Sequence, residues 1–167
     1  MASIKGIELK NIIDFRGHEG EELTQGDVYY KGQKVGYYSQ DAWGGCDIFD
    51  LDWQNLSKEL RQEIREITDN YIGGKLFKKI DDLYDKQYNV TWEHREQKGY
   101  EYLFMDLLQL IDHENIYKKY VEKWNKNNIS IIYTDLFNSI VCSGEPKGAL
   151  KDKTYFNYNS LNDFVIE

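Results

Sequence analysis

The fold is decided by the stretch Gly36-Tyr37-Tyr38-Ser39-Gln40-Asp41-Ala42-Trp43-Gly44-Gly45-Cys46-Asp47-Ile48-Phe49-Asp50-Leu51-Asp52-Trp53. It contains two Trp, a Gly pair, one Cys and four Asp, and it has no Lys or Arg. Residues before it alternate between apolar and polar, as strands do, whereas residues after it repeat at helical spacing. The stretch is therefore expected to join the β and α parts of an α+β protein.

The segment before this junction predicts a small antiparallel sheet. Ile7, Leu9, Ile13 and Phe15 share one parity within residues 4–15, which indicates a half-buried strand. Residues 27–30 and 33–38 flank Lys31-Gly32, and a two-residue turn with Gly second is typical of a hairpin. We predict a three-stranded amino-terminal sheet with one apolar face, which helices must cover.

The segment after the junction predicts helices. The first spans residues 57–71, with Ser57 as its N-cap, and the second spans residues 75–85. A third helical region spans residues 100–125, where Asp112-His113-Glu114-Asn115 is expected to break it into two helices. Residues 87–93 read as a short strand or an extended connector.

The carboxyl-terminal part predicts a β-hairpin formed by residues 129–133 and 139–142. The length of 167 residues fits one domain. We therefore expect a single α+β domain over residues 1–167, in which 1–50 are mainly β, 55–126 are mainly helical, and 129–167 form the hairpin and a tail.

Charge and composition indicate which classes of partner the protein can bind. The chain has 29 acidic and 21 basic residues, and its first 56 residues carry ten acids and five bases. A net negative field disfavours non-specific nucleic-acid binding and favours a basic partner, although acidic surfaces also keep proteins in solution. No signal region and no apolar run of membrane-spanning length occur, so we expect a cytoplasmic protein that does not bind membranes.

The residues that carry chemistry in enzymes form no recognisable catalytic motif. Asp41, Asp47, Asp50 and Asp52 suit a hard cation, but their spacing lacks the turn Gly and closing Glu of a calcium loop. His18 and Glu19 lack a third group to orient the imidazole. The remaining candidates, which have no basic neighbour or no companion group, are Cys46, Cys142, His94 and His113. We expect no catalytic residue, metal or cofactor, and the chain reads as a binding protein more than as an enzyme.

The acidic and aromatic residues of the junction predict a contact surface for a basic protein. Rings act as anchors at interfaces, and carboxylates steer a basic partner. The alternative is that the rings cover the sheet. The predicted partner-binding residues are Tyr38, Asp41, Trp43, Asp47, Asp50, Asp52 and Trp53.

The first third of the chain resembles small acidic proteins of phages and mobile elements of low-GC Gram-positive bacteria. The resemblance is carried by the runs Ile4-Lys5-Gly6-Ile7-Glu8-Leu9-Lys10-Asn11, Phe15-Arg16-Gly17-His18-Glu19-Gly20, Asp27-Val28-Tyr29-Tyr30-Lys31-Gly32-Gln33-Lys34-Val35-Gly36 and Asp41-Ala42-Trp43-Gly44-Gly45. It implies action in the cytoplasm of a bacterial host, and such proteins include inhibitors of host defence, among them anti-CRISPR proteins.

The leading hypothesis is accordingly an inhibitor that binds a basic nucleic-acid-handling protein or ribonucleoprotein, with a type II CRISPR effector nuclease as the first candidate. One alternative is a metal-dependent nuclease that uses the Asp-rich segment with Glu19 and His18. A third is a structural or accessory phage protein that self-assembles.

Overall fold

The computed structural model describes residues 1–90 and 97–167 and shows an α+β fold. The strands are β1 (Ser3–Ile4), β2 (Ile7–Arg16), β3 (Glu22–Tyr30), β4 (Gln33–Ser39), β5 (Ile48–Leu51), β6 (Ile129–Tyr133), β7 (Ser139–Ser143), β8 (Thr154–Tyr158) and β9 (Val165–Ile166). The helices are α1 (Lys58–Asp69), α2 (Lys78–Tyr88) and α3 (Tyr100–Trp124), with short 3₁₀ turns at Gly148–Leu150 and Leu161–Phe164.

The main sheet has six strands in the order β5-β4-β3-β2-β1-β9, so the prediction of a three-stranded sheet was wrong. The predicted first strand is split by a turn at Lys5-Gly6, where both residues have positive φ (50° and 78°). Strand β1 then pairs with β9 from the carboxyl terminus, and the junction itself supplies β5. The predicted turn at Lys31-Gly32 is confirmed, with φ values of 49° and 82°.

A β-bulge in β2 reverses the face on which its apolar residues lie. Lys10 pairs with Asp27 and Ile13 pairs with Gln25, so β2 uses three residues where β3 uses two. Asn11 takes up the irregularity with φ of 52°, a value that Asn tolerates better than most residues. Ile7 and Leu9 therefore face the core, whereas Ile13 is 58% exposed on the other face, contrary to the predicted shared face.

The carboxyl-terminal strands form a second sheet in the order β7-β6-β8. The predicted hairpin of β6 and β7 is present, and β8 adds a third strand on the other side of β6. Ile129 and Ile131 of β6 are fully buried in the core, which α3 helps to form.

Helix α3 is continuous for 25 residues, so the expected break at residues 112–115 does not occur. Polar residues that suggest a loop are buried here inside a helix. His113 is fully buried, and Glu114 accepts a hydrogen bond from the Ala2 amide at 3.0 Å and lies 2.9 Å from the Lys118 ammonium. These partners offset the cost of burying the charge, so the helix continues.

The other predicted helices are present with shifted ends. Ser57 caps α1 by accepting a hydrogen bond from the Leu60 amide at 3.2 Å. Helix α2 extends through Tyr88, so the segment predicted as a strand or connector is helical at its start, and its residues 91–93 lie outside the described residues. No helix within residues 1–90 and 97–167 is long and apolar enough to span a membrane.

Candidate contact surface

The fold joins two acidic segments that are separate in the sequence. Residues 17–21 connect β2 to β3, and residues 40–47 connect β4 to β5. The His18 amide donates a hydrogen bond to the Ala42 carbonyl at 2.9 Å. The His18 imidazole stacks on the Trp43 indole with ring centroids 4.2 Å apart. These contacts place both loops at one end of the main sheet.

The joined segments carry most of the net charge of the chain. Residues 14–22 contain four acids and one Arg, and residues 41–52 contain four acids and no base, so eight acids face one base. Among the described residues, none of these eight carboxylates forms an ion pair. We define the acidic end as residues 14–22 and 41–52.

Asp41 and Asp47 hold the loop between β4 and β5 in shape. The Asp41 carboxylate accepts hydrogen bonds from the amides of Gly45 (2.9 Å) and Trp43 (2.8 Å), and these bonds lower the pKa of Asp41. Asp47 accepts a hydrogen bond from the Tyr38 hydroxyl and another from the Asp41 amide at 3.3 Å. These carboxylates therefore have a structural role in addition to their charge.

Asp52 also has a structural role, whereas Asp50 does not. Asp52 accepts hydrogen bonds from the Asn55 side chain at 2.7 Å and from the amides of Asn55 and Gln54, and these bonds lower its pKa. Asp50 is exposed and has no hydrogen-bond or ion-pair partner in the described parts of the chain. Asp50 is therefore the one of the four predicted aspartates whose charge is free for a partner.

The three predicted anchor rings fall into two groups. Trp43 is 76% exposed and Trp53 is 59% exposed. The Arg61 guanidinium lies 4.6 Å from the centroid of the Trp53 ring and covers part of it. Tyr38 is fully buried and stacks on Phe104 at 4.2 Å, so it belongs to the core and is no longer part of the proposed surface. Its burial and the carboxylate of Asp47 raise the pKa of Tyr38.

Three exposed apolar side chains on one face of the main sheet were missed by sequence reasoning. Residues directly opposite in antiparallel strands share a face, and the rows across β5, β4, β3 and β2 place Ile48, Tyr37 and Ile13 on the face away from Tyr38. Ile48 is 52% exposed and Tyr37 is 37% exposed. The alternation of side chains along a strand predicts that Tyr37 and Tyr38 lie on opposite faces of the sheet. It does not predict which of the two faces is buried in the core.

The other candidate residues are not brought together. His113 lies between the hydroxyls of Tyr158 (2.6 Å from Nδ1) and Tyr133 (2.7 Å from Nε2), and burial lowers its pKa to about 4. Cys46 is exposed and Cys142 is half-buried, and the two are not bonded to each other. His94 lies outside the described residues. Within residues 1–90 and 97–167, no three His, Cys, Asp or Glu side chains are grouped to hold a metal ion.

No protein-family model, no curated protein and no solved structure matches the chain.

Proposed function

We propose that the protein is an inhibitor of host defence, encoded by a phage or mobile element, that acts in the bacterial cytoplasm by binding a basic surface of a nucleic-acid-handling protein. A type II CRISPR effector nuclease is the first candidate. The observation that supports the proposal is the joining of two acidic segments, eight acids to one base, around the exposed Trp43.

The negative charge of the acidic end is complementary to the positively charged surface with which a partner protein holds nucleic acid. Effector nucleases hold the guide–target duplex in a positively charged channel, and they bind it through its phosphate backbone. Carboxylates without ion-pair partners within the described residues attract such a channel and raise the rate of association. The protein would then occupy the place of the nucleic acid.

The acidic end is also held in one conformation before binding. Asp41, Asp47 and Asp52 fix the backbone through hydrogen bonds, and His18 stacks against one side of Trp43. A preorganised surface loses less conformational entropy on binding. Trp43 supplies the large exposed ring that interface hot spots favour, and Ile48 and Tyr37 are further exposed apolar side chains of β5 and β4.

The proposal is tested by DNA cleavage with a guide-loaded type II effector nuclease. Purified protein added before the target DNA is expected to reduce cleavage, and Trp43→Ala is expected to raise the concentration needed for half inhibition by about tenfold or more. Phe137→Ala is the matched control, because Phe137 is 79% exposed in the loop between β6 and β7 of the second sheet. Full cleavage at every protein concentration, or equal effects of the two variants, would contradict the proposal.

The nuclease alternative has no specific observation in its favour. Asp41, Asp47 and Asp52 accept hydrogen bonds from their own loops and do not converge on a common point. Incubation of the protein alone with DNA and RNA in Mg²⁺ or Mn²⁺ distinguishes the two functions. We expect no cleavage, and cleavage abolished by a chelator would favour the alternative.

A further inference from the structure

The free edges of the two sheets differ in how they are protected. Strand β9 has only two residues, and β5 carries the exposed Asp50. Beside β8 lies α2, from which the Lys79 ammonium donates a hydrogen bond to the Tyr155 carbonyl at 2.9 Å. Short length, charge and a covering element are the usual ways in which proteins prevent an edge from pairing with another strand.

Within residues 1–90 and 97–167, strand β7 has none of these protections. Its sequence Ser139-Ile140-Val141-Cys142-Ser143 contains no charged residue and no Pro, and it pairs with β6 over five residues without a bulge. Residues 136–144 are uncharged, in a chain of which 30% is charged. In the described parts of the chain, β7 makes no backbone hydrogen bond to any strand other than β6.

The hydrogen bonds at the two ends of β7 show which backbone groups face outward. The Gly144 amide donates to the Asn128 carbonyl at 2.8 Å, and the Thr134 amide donates to the Asn138 carbonyl at 3.1 Å. Hydrogen-bonded pairs alternate along an antiparallel ladder, so Ile140 and Cys142 also direct their N–H and C=O groups toward β6. The N–H and C=O groups of Ser139, Val141 and Ser143 therefore point to the free edge.

The outward groups are symmetric about Val141. In an antiparallel pair of two β7 strands related by a two-fold axis at Val141, Val141 of one copy pairs with Val141 of the other, and Ser139 pairs with Ser143. All outward groups then find partners, with about two hydrogen bonds for each of three pairs. Ile140, which is 45% exposed, lies opposite Cys142, so no charge is buried.

We propose that β7 is a self-complementary edge through which two copies of this chain associate, so that the two three-stranded sheets form one continuous sheet. The occupant of the edge is a second copy, because an uncharged strand with outward groups symmetric about its centre fits itself. A closed two-fold pair leaves neither β7 edge open to further copies. This pairing is independent of the proposed function.

Sedimentation velocity of the full chain at increasing concentration tests the pairing. We expect dimers with a dissociation constant below about 200 μM, because one strand pair buries less than the area of a standard interface. Monomer alone at about 500 μM would overturn the proposal.

Two double variants test the register. Ser139→Glu/Ser143→Glu places like charges opposite each other at both outer pairs and is expected to weaken the dimer by about tenfold or more. Ser139→Lys/Ser143→Glu places opposite charges there and is expected to restore it. Both positions are exposed, and circular dichroism checks the fold. If the two double variants dissociate alike, or if neither differs from the wild type, the β7 pairing is refuted.

Discussion

At the residue scale, the aspartates of the junction show that one residue type serves two purposes. Asp41, Asp47 and Asp52 accept hydrogen bonds that define the loops, whereas Asp50 has no partner within the described residues. Reversing Asp47 or Asp52 to Lys would therefore disturb the fold as well as the charge. Charge tests belong at Asp50 and at the exposed Glu19 and Glu22.

The buried Tyr38 hydroxyl is expected to contribute to stability through Asp47. Tyr38→Phe removes the donor and leaves a partly buried carboxylate oxygen without it, so unfolding free energy should fall by about 1–3 kcal/mol in urea titrations. Tyr37→Phe is the matched control, because its hydroxyl bonds the Gln25 side chain at an exposed site, and its cost should stay below about 0.5 kcal/mol. Equal costs for the two variants would contradict the structural role of Asp47.

His113 is expected to make stability depend on pH. Burial lowers its pKa from 6.5 to about 4, so the folded state stays neutral while the unfolded state takes up a proton below pH 6.5. The contribution of the neutral imidazole to the unfolding free energy is therefore fully present above pH 6.5. It is lost as pH falls toward 4, at up to about 1.4 kcal/mol per pH unit. Urea titrations of the wild type and of His113→Gln between these pH values measure it. Parallel pH profiles would contradict the neutral buried imidazole.

At the element scale, the sequence predicts the features that neighbouring residues specify, but it does not predict the pairing of strands that lie far apart in the chain. The hairpin around Lys31-Gly32 and the helix that Ser57 caps follow from neighbouring residues, and both are present. The bulge at Asn11 reverses a face through one residue with positive φ, which apolar alternation does not show. The pairing of β1 with β9 joins the two ends of the chain, and no local signal specifies it.

The close approach of β4 and β5 depends on a glycine. A Cβ atom at Gly36 would overlap the Asp50 carbonyl oxygen and lie 3.1 Å from the Leu51 Cα, and backbone cannot move aside cheaply. Gly36→Ala should therefore lower the unfolding free energy by about 2 kcal/mol or more in urea titrations. Gly45→Ala is the control, since its nearest neighbour is the Asp41 side chain at 3.3 Å. If Gly36→Ala is no more costly than the control, β5 is not held as described.

At the scale of the whole molecule, the acidic end is a product of the strand register. The sequence shows the acids and Trp43 of the junction, but it predicts a joint site with His18 and Glu19 only in the nuclease alternative and leaves these two residues out of the contact surface. The pairing of β2, β3, β4 and β5 brings the loops together, and the contact of His18 with Ala42 and Trp43 joins them. Because this contact spans more than 20 residues of sequence, no local pattern reveals it.

The acidic end is the surface that we propose binds a basic partner. The most direct test is the affinity for a guide-loaded type II effector nuclease of two triple variants with the same net charge. Glu19→Lys/Glu22→Lys/Asp50→Lys changes the acidic end, and Glu122→Lys/Glu145→Lys/Asp152→Lys changes exposed acids of the carboxyl-terminal part.

We expect the first variant to weaken binding by about a hundredfold or more at low salt, with a smaller loss at high salt, because screening reduces the attraction. For the second variant we expect a change in affinity of less than about threefold. Equal losses for the two variants would show that net charge alone matters and would contradict the claim, as would unchanged binding of the first variant.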